Sequence, residues 1–342
     1  MGMTNFPNGI TSFGIPVLGG GAIPFTGTPF FVDPANGSDG YSGKSPDRAF
    51  ATLYKAHDAC TAGANDVVYL IGDGSTTATA RLSAALAATV DSSATTGTLT
   101  WSKNATHLIG ITAPTSVGQR ARIAPPTGTY TMATFGSGNF VNVTAAGCTF
   151  SNISLFNGFS TGGASQICWT DSGGRNYYEN VHFGGAGDAA SAQATTSRSL
   201  LVTGTGECTF VNCTIGLDTV TKTVANASLE LAGATKRNRF SRCIFPIMTS
   251  AATPYFIIGT GAGAIDRWNL FEECLFYNAV DSTSTGLTVA CSLHASAGGS
   301  LVMMRCTAVG ATKWGDAGAL ANMYVDGGPP TAGTTGLGVN PS

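Results

Sequence analysis

Residues 208–215 read Cys208-Thr-Phe-Val-Asn-Cys-Thr-Ile215, and this stretch decides the fold. Apolar and polar residues alternate through it, which is the period of a strand. The same pattern returns at residues 148–155 (CTFSNISL), 177–183 (YYENVHF), 239–245 (RFSRCIF), 270–276 (LFEECLF) and 303–308 (MMRCTA). One small apolar position runs Ile153, Val181, Cys213, Cys243, Cys274, Cys306, at gaps of 28, 32, 30, 31 and 32 residues. A recurring period of that size marks a solenoid. Leucine-rich, ankyrin and tetratricopeptide units each need helices. Here the intervening sequence is Gly-, Ser-, Thr- and Asn-rich, which disfavours helix. Further short strand candidates lie between the motifs, such as residues 228–231 and 255–258. Two or three short strands per thirty residues predict one coil of a parallel β-helix. Stacked coils pair every strand and stack equivalent side chains into ladders. Ile153, Val181 and the four cysteines are therefore the expected buried ladder.

The residue before each ladder position is Asn152, Asn180, Asn212, Arg242, Glu273 or Arg305. Asparagine bonds its own backbone at bends and tolerates the left-handed conformation, so part of this row is expected to be turn chemistry. Arg242, Glu273 and Arg305 stand on successive coils and predict an exposed ionic ladder.

Composition agrees with a solenoid. Of 342 residues, 46 are glycine, about twice the usual share, and only 11% are charged, against roughly 25% ordinarily. Net charge is −2 and no basic run occurs, so no nucleic-acid partner is expected. Residues 1–20 lack a positive charge and a continuous apolar core, so neither a secretion signal nor a membrane anchor is expected. The nine cysteines include no CxxC pair and no zinc spacing, and read as buried free thiols suited to a reducing cytosol.

The first third reads differently. Residues 30–58, "FVDPANGSDGYSGKSPDRAFATLYKAHD" from Phe31 onward, pass from a strand through a turn region. A helix is expected next, N-capped by Ser45 with Pro46 at its first position. Phe50, Leu53, Tyr54, His57 and Cys60 share one face of it, and Gly63 closes it. Residues 66–72 and 107–111 read as buried strands, while residues 74–104 read as an early outgrowth with an alanine-rich short helix. These segments resemble the start of pectin-lyase-like right-handed β-helix proteins. The resemblance spans roughly residues 30–310 and implies an all-β, single-stranded parallel β-helix with an N-terminal capping α-helix. An end coil needs such a cover, because an open edge templates aggregation. The fold hosts lyases, hydrolases, adhesins and viral structural proteins, so it does not name a function.

The expected layout is an extended arm at 1–29, a cap and first coil at 30–104, the solenoid at 105–326 and a tail at 327–342. In the arm, Phe6, Pro7, Ile10, Phe13, Ile15, Pro16, Val17 and Leu18 are too apolar to prefer water. This opening resembles those of tailed-phage virion proteins. That resemblance implies attachment to a major capsid protein or another virion protein, assembly in the host cytoplasm and a location in the virion.

No residue set spells chemistry. Glu272-Glu273 is the one adjacent acidic pair, and in a strand the two would face opposite ways. His57, His107, His182 and His294 share no metal or triad spacing. No catalytic residue, cofactor or metal site is expected. The leading expectation is a non-catalytic virion protein of the decoration or minor-head type, forming a homo-oligomer, with a trimer favoured. Packing of copies would hide Trp169, Tyr177 or Trp268. The alternatives are a tail appendage that cleaves surface polysaccharide and an adhesin that stacks sugars on Tyr255, Trp268 or Tyr277.

Overall fold

A computed structural model describes residues 11–12, 15–16, 26–94, 96–113, 115, 121–127, 138–157, 166–185, 187, 192–259, 261–279, 286–316, 319 and 322–326. Its strands stack into three parallel sheets, the faces of a right-handed parallel β-helix. The first sheet has ten strands, from Pro29–Val32 and Val67–Ile71 to Met323–Val325. The second has nine, from Ala80–Arg81 to Thr307–Val309. The third has eight, from Leu99–Trp101 to Ala311–Gly315. The segment read as an outgrowth thus supplies the opening strands of two sheets, with a short helix, Ala84–Val90, between them.

Register holds from coil to coil. Phe150 pairs with Tyr178, Tyr178 with Phe210, Phe210 with Phe240 and Phe240 with Phe271. Strand spacing is close to the optimal distance for offset aromatic rings, so the inward side chains stack. Centroids lie 5.1 Å apart for Phe150–Tyr178, then 4.5 Å for each of the next three pairs. This column fills the interior beside the first sheet.

The corner between the first and second sheets explains the recurring motif. Asn152, Asn180, Asn212, Arg242, Glu273 and Arg305 all have φ between 51° and 55°. Left-handed backbone turns the chain so that the next residue points inward, not outward. Ile153, Val181, Cys213, Cys243 and Cys274 are buried there, and Cys306 is half-buried at the far end of the row. The thiols find carbonyls one coil back: Cys243 Sγ lies 3.6 Å from Phe210 O and Cys274 Sγ lies 3.4 Å from Phe240 O. All nine cysteines are free.

The helix expected over 46–60 is two pieces. Pro46–Arg48 is a single 3₁₀ turn, and α1 runs Leu53–Ala59. Between them Phe50 is drawn into the sheet: its N–H donates to Phe31 O and its carbonyl accepts from Asp33 N. Asp39 holds the break, accepting from Ala51 N, Thr52 N and Thr52 Oγ1 at 2.8–3.0 Å. Thr52, not Ser45, is the N-cap whose side chain accepts from the helix, at Lys55 N. α1 packs beside the first strands of the first sheet, and His57 lies 4.9 Å from Trp101 in the strand that opens the third.

Candidate functional site

A surface trough follows the left-handed corner. Its volume is about 660 Å³, and Ser151, Asn152, Glu179, Asn180, Asn212 and Arg242 line it. Its polar row is tied coil to coil. Asn152 Nδ2 donates to Gly110 O and Thr112 O, Asn180 Nδ2 to Asn152 Oδ1, and Arg242 Nε to Asn212 Oδ1, all within 2.8–3.0 Å.

The expected ladder of Arg242, Glu273 and Arg305 takes a different form. Each donor reaches toward the preceding coil. Arg242 is spent on Asn212, while Arg305 Nε donates to Glu273 Oε1 at 3.1 Å. Arg305 also reaches Glu272 at 3.1 Å, and Arg239 holds the other oxygen of Glu272 at 2.7 Å. The Arg239 hydrogen bond keeps the Glu272 carboxyl below its ordinary range.

Carboxylate geometry bears on catalysis. Glu179 and Glu272 occupy the same outward row of the first sheet, through the register Glu179–Val211–Ser241–Glu272. Three coil steps put their backbones about 14 Å apart, whereas the carboxyl groups of an inverting glycosidase pair stand roughly 6.5–9.5 Å apart. Glu272 and Glu273 are near one another, and both carboxylates are held by the Arg305 guanidinium. Among the described residues no group of three His, Cys, Asp or Glu side chains could hold a metal ion, and no helix is long and apolar enough to cross a membrane.

One buried polar cluster gave no sequence signal. Asp171, fully buried, accepts from Gly174 N at 2.8 Å, Asn176 Nδ2 at 2.9 Å and Tyr178 OH at 2.5 Å. Trp169 Nε1 donates to Tyr178 OH at 3.1 Å. The chain from Trp169 through Tyr178 to Asp171 lies in the interior, so Trp169 is no flank residue for a neighbouring copy. Burial, then the Asp171 charge, pushes the Tyr178 phenol well above its ordinary range. His182 is also buried, although it stands in the outward row of the second sheet beside Ser154, and its Nε2–H donates to Gly216 O at 3.1 Å, since a carbonyl can only accept. Trp268 and Tyr277 are exposed, on the first and second sheets respectively, and Tyr255 is half-buried.

Of the arm, Ile15 and Pro16 form a two-residue antiparallel ladder with Thr11 and Ser12, which joins none of the three sheets. Phe6, Pro7, Ile10, Phe13, Val17 and Leu18 lie outside the described residues, as does the tail 327–342.

Three stacked parallel sheets around a continuous core define a β-solenoid of the pectin-lyase-like class. Solved structures agree. The chain is similar to pectin methylesterase PemA from Erwinia chrysanthemi, at 13% identity and TM-score 0.54, over 83% of this chain and 80% of that one. It is similar to pectate lyase Pel9A at 11% identity and TM-score 0.54, over 89% of this chain and 78% of that one. A third similar structure is ORF18 of Geobacillus virus E2, with 12% identity, TM-score 0.45, and coverage of 84% and 53%. No family model and no curated protein matches the sequence. At these identities the likeness to the first two establishes the fold and leaves function to the residues.

Proposed function

We propose that this chain is a structural component of a tailed-phage particle, a capsid-associated decoration or minor head protein. Residues 1–29 attach it to the major capsid protein or another virion protein, and the β-helix projects as a rigid, non-catalytic scaffold, as a homotrimer. The observation that carries the reading is the separateness of the arm. Its ladder, Thr11–Ser12 with Ile15–Pro16, pairs only with itself, and the sequence around it is apolar and uncharged. An apolar segment whose described strands, Thr11–Ser12 and Ile15–Pro16, join none of the solenoid's sheets is suited to a surface elsewhere. The carboxylate geometry supports the non-catalytic part. Cryo-electron microscopy of purified particles tests the reading. Density for residues 1–29 against the capsid lattice supports it, and density against a tail lattice keeps the virion role but overturns the capsid location. Absence of the chain from particles overturns it.

A second reading is favoured by the corner trough. Its amides, hydroxyls and single carboxylate suit a neutral saccharide chain running along the coils, as in a tail appendage or adhesin that binds host glycan. A glycan array probed with wild type and N180A tests this. Binding lost in the variant supports it, and no binding above background removes it. Release of reducing sugar or unsaturated uronate from capsular polysaccharide, lost in E179Q, would show that the trough is catalytic instead.

A further inference from the structure

A different groove lies on the second sheet, near its N-terminal end. Arg81 and Arg122 stand on neighbouring strands, where Ala80 pairs with Ile123 and Arg81 with Ala124. The next strands bring Ser154 beside Arg122 and His182 beside Ser154. The groove they form holds about 390 Å³, and exposed Phe156 is one of its walls. Small side chains at Ala124 and Ser154 leave the floor low between the two guanidiniums.

Its chemistry is one-sided. Neither arginine enters an ion pair among the described residues, where the ion pairs use other cations. Each spends one terminal nitrogen on a carbonyl: Arg81 Nη1 on Pro125 O at 3.1 Å and Arg122 Nη2 on Ser75 O at 2.9 Å. Asp73 points its carboxylate at Ser75 N, and its hydrogen bonds with Ser75, with a smaller part from the Arg122 charge, hold it below its ordinary range. Burial, then the charge of Arg122, pulls the Arg81 guanidinium below its ordinary value. Two of the residues lining this groove each carry a buried polar atom that makes no hydrogen bond among the described residues, Arg122 Nε and Thr79 Oγ1. Thr79 is only 4% exposed. Buried donors without acceptors are costly, and adjacent like charges add to the cost. What satisfies all of them at once is a negatively charged group with several acceptor oxygens.

We propose that this groove is an oxyanion site: it takes a phosphate or sulfate group, free or carried on a sugar ring, on Arg81, Arg122 and Thr79. The ring of a sugar-borne group lies against Phe156. The site stands independently of where the arm docks.

Isothermal titration of the full chain with inorganic phosphate, sulfate, glucose 6-phosphate and glucose tests it. The three anions bind and glucose does not. R122Q weakens anion binding by roughly tenfold or more, the usual loss for a charge-assisted hydrogen bond, and T79V weakens it less. R122K, which keeps the charge but not the planar fork, falls between. R175Q, a change at an exposed arginine paired with Glu207, leaves binding unchanged. F156A weakens glucose 6-phosphate and spares inorganic phosphate. Thermal melts confirm that each variant is folded. No heat with any anion at millimolar concentration overturns the site, as does unchanged binding in a folded R81Q/R122Q variant. Equal response of phosphate and glucose 6-phosphate to F156A overturns the sugar-borne source.

Discussion

Glu272 and Glu273 are neighbours in sequence, yet both carboxylates reach one guanidinium, that of Arg305, at 3.1 and 3.0 Å. Strand alternation would send them to opposite faces. Glu273 escapes it because its φ is 55°, so it turns the corner while Glu272 ends the strand. The pair therefore forms an exposed ionic cluster with Arg239 and Arg305, and exposed clusters contribute little to stability.

The corner conformation predicts an asymmetry. Arg242 sits at φ 52°. Glycine adopts that conformation freely and a β-branched residue resists it. R242V is expected to lose about 1–2 kcal/mol of unfolding free energy, while R242G loses much less. Urea denaturation of the two variants measures the difference.

The aromatic column predicts a position effect. Phe240 is flanked by Phe210 and Phe271, each 4.5 Å away. F240A leaves a cavity between two stacked rings and is expected to cost about 3–5 kcal/mol. F240L keeps most of the volume and should cost markedly less. Midpoints of chemical denaturation with unchanged slope check both.

The Asp171 cluster predicts non-additivity. D171A strands the Gly174 N–H, the Asn176 amide and the Tyr178 hydroxyl in the interior. A loss of roughly 3–5 kcal/mol is expected, and about 1–2 kcal/mol for Y178F. The double variant should lose less than the sum, because the two share one hydrogen bond. A double-mutant cycle by denaturation reads the coupling.

His57 predicts a pH dependence. Burial lowers its pKa to about 4, with Lys103 adding to the shift. Folding therefore favours the neutral ring. Its contribution is fully present above the unfolded pKa near 6.5 and is lost as pH falls toward 4, at roughly 3 kcal/mol in total. His57 Nε2 accepts from Ser102 N, which a glutamine carbonyl replaces. Stability of H57Q should therefore fall less than that of wild type between pH 6.5 and 4, and matching slopes would refute the assignment.

The sequence by itself determined the repeat, the inward row from Ile153 to Cys274 and the left-handed corner announced by Asn152, Asn180 and Asn212. These are local patterns, since alternation and turn preference belong to a few consecutive residues. It misplaced Trp169, joined Pro46 to Cys60 in one helix and aimed Arg242 at Glu273. Each error concerns a partner on another strand or a distant turn: Tyr178, Asp39, Asn212. Only the tertiary structure decided those, and it alone set Arg81 beside Arg122, which lie 41 residues apart in the chain. A solenoid's coil length varies by several residues from turn to turn. Which side chains meet between coils is therefore fixed by the hydrogen-bonded register of the sheets, a property that no single stretch of sequence carries.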